Sequence, residues 1–109
     1  MPTASDFFAI DIRVGTVLTA EEFPEARKPA IKLTIDFGEL GVLRSSAQLT
    51  MHYTPTGLVG RQVVAVVNIG ERRIAGFTSQ ALVLGGVPAE GNVVLLQLDQ
   101  AVPNGTRIA

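Results

Sequence analysis

Ile31-Lys32-Leu33-Thr34-Ile35-Asp36-Phe37 is the stretch from which the fold is read. Ile31, Leu33, Ile35 and Phe37 occupy alternate positions, and Lys32, Thr34 and Asp36 fall between them. A period of two sends the apolar set to one face and the polar set to the other, the signature of a half-buried strand. The neighbouring segments continue the pattern. Asp11 to Ala20 reads as a long first strand with Ile12, Val14 and Leu18 on one side. Gly15 within it marks a bulge or sharp bend, as occurs where a small barrel closes. After a turn at Gly38 to Gly41, Val42 to Ala47 returns as a third strand. Arg61 to Ile69 contains Val63-Val64-Ala65-Val66-Val67, a continuous apolar run typical of a strand covered on both faces. Thr78 to Leu84 and Asn92 to Leu98 read as further strands.

The rest of the chain connects these strands. Glu21 to Pro29 is a polar loop carrying two prolines. Gln48 to Leu58 is irregular or briefly helical, and Asp6 to Ile10 suits one helical turn. Val102-Pro103-Asn104-Gly105 is a turn, because Asn-Gly tolerates positive φ. Five or six short strands with little helix fit an all-β fold, and at 109 residues the expectation is a small closed five-stranded OB-fold β-barrel with short helical additions. Residues 1–109 read as a single domain without linker, repeat or low-complexity segment.

Composition narrows the function. Apolar residues make up 47% of the chain and charged residues 17%, which argues against disorder. There is no cysteine, so disulfide and thiol chemistry are excluded. No apolar stretch approaches the roughly 20 residues of a membrane span. Met1 to Asp6 lacks the basic start and apolar run of a secretory signal. The expectation is a cytoplasmic protein with no membrane insertion. The formal charge of −1 argues against an indiscriminate polyanion binder. The charge is unevenly spread, however. Arg27, Lys28, Lys32 and Arg44 form one basic block and Arg61, Arg72 and Arg73 another, while Glu21, Glu22, Glu25, Glu90 and Asp99 lie apart.

A catalytic reading finds no support. His52 is the only histidine, and Met51 and Tyr53 beside it are no metal partners. There is no Gly-rich phosphate loop, nucleophile elbow or zinc-protease pair. Asp36 and Glu39 are explained by a strand-end turn, and Ser45 and Ser46 lack a base. The expectation is a protein that is not an enzyme and holds no cofactor or metal.

A binding reading fares better. Asn68-Ile69-Gly70-Glu71-Arg72-Arg73-Ile74-Ala75-Gly76-Phe77-Thr78-Ser79 leaves an apolar run, turns through a basic pair and re-enters apolar sequence. Arg offers a planar fork of donors to phosphates and base edges, and Asn and Ser add short directional hydrogen bonds. A β-turn with solvated arginines is the plainer alternative. Lys32 projects from the polar side of the alternating strand and Arg44 from the next. Barrels of this class bind oligonucleotides on an open face framed by loops. Phe77 is the only aromatic beside the basic pair, so stacking platforms are few, which suits a folded RNA recognised by shape and backbone.

Several blocks, in order, are familiar. Asp11-Ile12-Arg13-Val14-Gly15, Ala30-Ile31-Lys32-Leu33, Leu58-Val59-Gly60-Arg61-Gln62-Val63-Val64 and Asn68 through Gly85 resemble the tRNA-binding domain family. That family comprises free-standing dimeric tRNA-binding proteins and domains appended to aminoacyl-tRNA synthetases. Ala26-Arg27-Lys28-Pro29-Ala30, Ser45-Ser46-Ala47-Gln48 and Arg72-Arg73-Ile74-Ala75-Gly76-Phe77 are similar to its CsaA branch, described as secretion-related chaperones. The resemblance implies an OB-fold homodimer that binds tRNA by shape and makes no covalent change. The family's contact positions fall on Lys32, Asn68, Arg72, Arg73 and Ser79, with Leu82 where the family often has methionine. Many members carry Ser-Glu-Gly-Met where this chain has Ser79-Gln80-Ala81-Leu82, and the usual His-Pro-x-Ala of the first loop is replaced by Arg27-Lys28-Pro29.

The RNA-binding candidates are therefore Lys32, Arg44, Asn68, Arg72, Arg73, Ser79 and Leu82, with tRNA as partner. The alternative partner is an unfolded or export-bound polypeptide, held by Met51, Phe77 and Leu82; membership of the core is the competing role for these three. A mean hydropathy of +0.34 in so small a barrel favours a homodimer that covers apolar surface. Phe7, Phe8 and Ile10, with the Val93 to Leu98 strand, are the candidate seam, unless they cap one end of the barrel.

Overall fold

The computed structural model describes residues 1–109. The chain opens with helix α1 (Ala4–Ala9) and strand β1 (Ile12–Glu22), followed by β2 (Ile31–Asp36), a 3₁₀ turn (Gly38–Leu40) and β3 (Val42–Ala47). A short helix α2 (Pro55–Leu58) leads into β4 (Gln62–Val66). Then come β5 (Arg72–Ile74), β6 (Phe77–Ser79), β7 (Leu82–Val83), β8 (Gly85–Gly86) and β9 (Val94–Leu95). The main sheet runs β3-β2-β1-β4-β7, antiparallel throughout.

β1 makes a barrel from this sheet by serving two neighbours. Ile12 to Thr16 pair with β4, and Thr16 to Glu22 pair with β2. The register slips between Val17 and Thr19. A bulge of this kind raises the local twist and turns one strand through the corner of a small barrel. Leu18 sits at the slip, 45% exposed, and Val17 takes the inward place instead. The barrel then nearly closes between β3 and the residues just before β7: the N–H groups of Gln80 and Ala81 both donate to the Arg44 carbonyl, at 2.7 and 3.2 Å.

The interior is what the alternation of β2 requires. Ile31, Leu33, Ile35 and Phe37 are at most 1% exposed, and they meet Val17, Leu49, Leu58, Val63, Ala65, Ala81 and Leu95. Burying each large aliphatic or aromatic side chain contributes about 1.5–3 kcal/mol. The two-sided burial expected for the valine run holds over β4, where Val63 to Val66 are all buried.

Four readings need correction in detail. Gly15 is not the bulge; it is a place of close approach. A Cβ on Gly15 would stand 2.6 Å from Ile35 Cγ2 and 2.7 Å from the Phe37 ring, so only hydrogen fits there. β1 extends through Glu22, shortening the loop read from Glu21. The strand read as Thr78 to Leu84 is two strands, because Gln80 and Ala81 leave the ladder and donate their N–H groups to the Arg44 carbonyl of β3. The Asn92 to Leu98 strand shrinks to Val94–Leu95.

α1 is longer than one turn. Thr3 and Asp6 form a capping box, Thr3 Oγ1 accepting from Asp6 N–H at 3.3 Å and Asp6 Oδ2 from Thr3 N–H at 2.8 Å. No residue of α1 is buried, and Phe7 and Phe8 are 40% and 52% exposed, so the helix does not plug the barrel end.

Replacing Gly15 by Ala is expected to lower stability by roughly 1–3 kcal/mol through overpacking against Ile35 and Phe37. The check is a urea unfolding curve, in which the midpoint falls while the slope is kept.

Candidate nucleic-acid interface

The polar side of β2 faces out of the barrel. There Lys32 lies opposite Ser46 of β3, and Thr34 opposite Arg44. Phe23, just beyond β1, and Phe77, at the start of β6, meet beside these cations with ring centroids 5.6 Å apart and planes at 65°. Lys32 Nζ stands 5.0 Å from the centroid of Phe23 and 5.8 Å from that of Phe77, and Arg44 Cζ is 5.6 Å from Phe77. Both cations are thus held on the negative faces of aromatic rings. Lys32 also reaches Glu21 Oε1 at 3.3 Å; the lysine side chain is 24% exposed and the glutamate 72%.

The ring of Phe77 is delivered by the β5–β6 hairpin. Its pairs are Arg72 with Ser79, Arg73 with Thr78 and Ile74 with Phe77, linked by Ala75 and Gly76. Both linking residues have positive φ, 46° and 83°, the pattern of a type I′ turn. The hairpin is fastened to β3 at three successive residues. Arg44 N–H donates to Gln80 Oε1 at 3.0 Å, Ser46 N–H to Ser79 Oγ at 3.1 Å, and the buried Ser45 hydroxyl to the Ala81 carbonyl at 2.8 Å. Gln80 is braced in turn by donating to Glu71 Oε2 at 3.2 Å.

A groove of about 490 Å³ opens beside the hairpin. Leu49, Ile74, Leu82, Val83 and Val93 supply its apolar lining, and Arg27, Lys28 and Arg72 its positive charge, with no acidic residue in the lining. Arg27 and Lys28 were not singled out as site residues from the sequence. They carried a signal as an unpaired basic step in a Pro-bounded loop, but only the fold brings that loop opposite Arg72.

The candidates sort into distinct groups. Lys32, Arg44, Phe77 and Ser79 come together at the hairpin dock. Arg72 and Leu82 line the adjoining groove. Arg73, next to Arg72 along an extended strand, projects to the opposite side of the hairpin, so the pair does not act as one fork. Asn68 lies elsewhere and works as a staple: Oδ1 accepts from Asp11 N–H and Nδ2 donates to the Ala9 carbonyl, both at 2.8 Å. Ser79 likewise anchors the hairpin. Of the three residues read as peptide contacts, only Leu82 lines the groove; Phe77 sits under the cations, and Met51 is 70% exposed outside it. No group of three or more His, Cys, Asp and Glu side chains converges as metal ligands would.

A nearly closed small barrel with a cationic, ring-braced outer face is the architecture of an OB-fold-like binding module. Residues 12–107 match the family described as a putative tRNA binding domain, and the chain belongs to that family. Among solved structures it is similar to the chaperone CsaA of Bacillus anthracis str. Ames, with 59% identity, a TM-score of 0.95 and coverage of 100% of this chain and 99% of that one. The CsaA chaperone protein of Picrophilus torridus follows at 44% identity and a TM-score of 0.92, each chain fully covered. A methionine–tRNA ligase of Methanococcoides burtonii is 36% identical over 106 residues, 97% of this chain. The chain spans about 15% of the length of that ligase.

Ala75 is the one non-glycine residue with positive φ, in a turn that suits Asn-Gly. Ala75→Asn is expected to raise stability by about 1 kcal/mol by relieving the left-handed strain. Thermal unfolding gives the check, as a higher midpoint with no change in the far-ultraviolet spectrum.

Proposed function

We propose that this chain is a non-catalytic tRNA-binding protein that acts as a homodimer. It takes the backbone of a folded tRNA on the face built by Lys32, Arg44 and the β5–β6 hairpin. The observation that carries the reading is the placement of these two cations, from separate strands, beside one aromatic ring, with Arg44 exposed and its guanidinium free of side-chain hydrogen bonds. Arg72, Arg27 and Lys28 extend the positive surface along the groove, and Arg73 adds charge on the far side of the hairpin. Phosphate contacts give salt-sensitive affinity and position a duplex without reading its sequence. Membership of the tRNA-binding family supports the same partner.

The dimer seam in this reading is the α1 side, where Phe7, Phe8 and Ile10 are 40%, 52% and 47% exposed. Phe7 and Phe8 stand edge to face with centroids 5.2 Å apart, and exposed apolar side chains grouped in this way support a seam there.

A second reading has its own support. The groove has an apolar lining and a basic rim, and two similar structures are chaperones by name. An extended polypeptide segment, with an aliphatic side chain against Leu82 and Val83, suits that lining. Because Arg72 borders the groove, peptide and tRNA would compete.

Replacing Arg72 and Arg73 together by Ala is expected to weaken binding of total tRNA and to make the slope of log affinity against log salt shallower by about 1–2. Mobility shifts across a salt series measure this, beside the molar mass in solution. An unchanged slope removes these arginines from the interface. If an apolar peptide suppresses no tRNA binding while the protein also leaves a model substrate's aggregation unaffected, the chaperone reading goes.

A further inference from the structure

We propose that Phe77 is a positioning residue for RNA binding: its ring, braced edge-on by Phe23, holds Lys32 and Arg44 as a preformed pair of phosphate donors. The inference rests on the RNA reading above and goes beyond it, because no charge of its own marks Phe77 as part of an RNA site.

The cations of this barrel divide by what their N–H groups do. Arg13 donates to the Asp11 carboxylate and to the Gly105 carbonyl. Arg61 donates to Gln97 Oε1, and Arg107 to the Phe8 carbonyl. Those arginines tie the fold together through these bonds, although Arg61 also lies over the Tyr53 ring at 5.2 Å and keeps a buried Nε without a partner. Arg44 makes no side-chain hydrogen bond and no ion pair; its guanidinium lies over the Phe77 ring. Lys32 has one anionic partner, the largely exposed Glu21, and otherwise lies over Phe23 and Phe77. An aromatic face attracts a cation through its quadrupole and consumes none of its donors. The rings therefore hold these charges in place while the Arg44 N–H groups, and the Lys32 donors beyond the one facing Glu21, stay free for an incoming oxyanion.

A ring also answers a problem of like charge. Lys32 and Arg44 approach the same ring and repel each other. Long side chains so placed would swing apart into solvent and surrender rotamer freedom only when RNA arrived. Holding both against one quadrupole meets that ordering beforehand, so less is lost on binding. The same hairpin that presents Phe77 also holds Arg44 by its backbone, accepting its N–H at Gln80 Oε1 and donating Gln80 and Ala81 N–H to its carbonyl. Ring, backbone clamp and cation form one unit.

The test compares Phe77→Leu and Phe77→Met, which keep an apolar side chain against Phe23, with Phe77→Tyr, which keeps the aromatic face. Total tRNA is the probe, across a salt series, with unfolding midpoints measured in parallel. The Leu and Met variants are expected to lose roughly tenfold in affinity at every salt concentration, with the salt slope kept because the same number of phosphates is neutralised. Phe77→Tyr restores most of the affinity. In the Lys32→Gln/Arg44→Gln background, Phe77→Leu should have no further effect, the coupling expected of groups that act through one another. The proposal is overturned if Phe77→Leu binds like the native chain, if Tyr is as poor as Leu, or if the full loss persists without the two cations. If the native protein binds no tRNA, the RNA reading falls and the proposal with it. An upfield ring-current shift of the Arg44 side-chain protons, lost in Phe77→Leu, separates the two failures, since it reports the ring contact without RNA.

Discussion

The peptide group of Arg44 is the point on which the rest of the molecule depends. Its carbonyl accepts two N–H groups from Gln80 and Ala81, and its own N–H is taken by the Gln80 side chain. These bonds join the last strand of the sheet to the first and turn a curved sheet into a nearly closed barrel. A strand edge left unpaired is open to unwanted pairing. Here the edge is covered by the chain's own hairpin. The same bonds place the hairpin over the outer face of β2 and β3, so closure of the barrel and assembly of the cationic face are one event.

The two faces of β2 show how a small protein carries both a core and a binding surface. Inward, Ile31, Leu33 and Ile35 fill the barrel; outward, Lys32 is held on Phe23 and Phe77. The tight fit is visible at Gly15, where neighbouring side chains leave no space for a methyl group. A rigid interior gives the outer cations a fixed platform, because long side chains are well placed only when the backbone beneath them does not shift. Net charge says little about such a protein. The chain carries −1 overall, yet the lining of its groove contains three cations and no acid. Local field, not the sum, governs what approaches the surface.

Much of the candidate site was legible before the fold was known, and the missing parts share a cause. Lys32 was placed by alternation and Arg44 on the strand returning after the Gly38 to Gly41 turn, and they are cross-strand neighbours one step apart. Arg72 and Arg73 were read as a pair, yet adjacent residues of a strand face opposite ways, and the hairpin separates them. Asn68 and Ser79 looked like binding groups because short polar side chains beside arginines suit nucleic acid. In the structure their amide and hydroxyl satisfy backbone groups of Asp11, Ala9 and Ser46. Capping the fold and contacting a ligand call for the same chemistry, so residue type cannot tell them apart. Met51 was grouped with Phe77 and Leu82 by hydrophobicity, which carries no direction, and it lies exposed outside the groove.

By itself the sequence determined the barrel: alternation in Ile31 to Phe37, the valine run, and glycines at the turns are local patterns, and burial of one face follows from them. It also singled out the cations Lys32, Arg44, Arg72 and Arg73 as candidate binding groups. Only the tertiary structure decided that Phe77 leaves the core to lie under Lys32 and Arg44, that Arg27 and Lys28 line the same groove as Arg72, and that α1 leaves its two phenylalanines exposed. These depend on contacts between residues tens of positions apart. Such contacts are set by how the bulge at Val17–Thr19 turns the sheet and where the hairpin docks, and neither is written in any one segment.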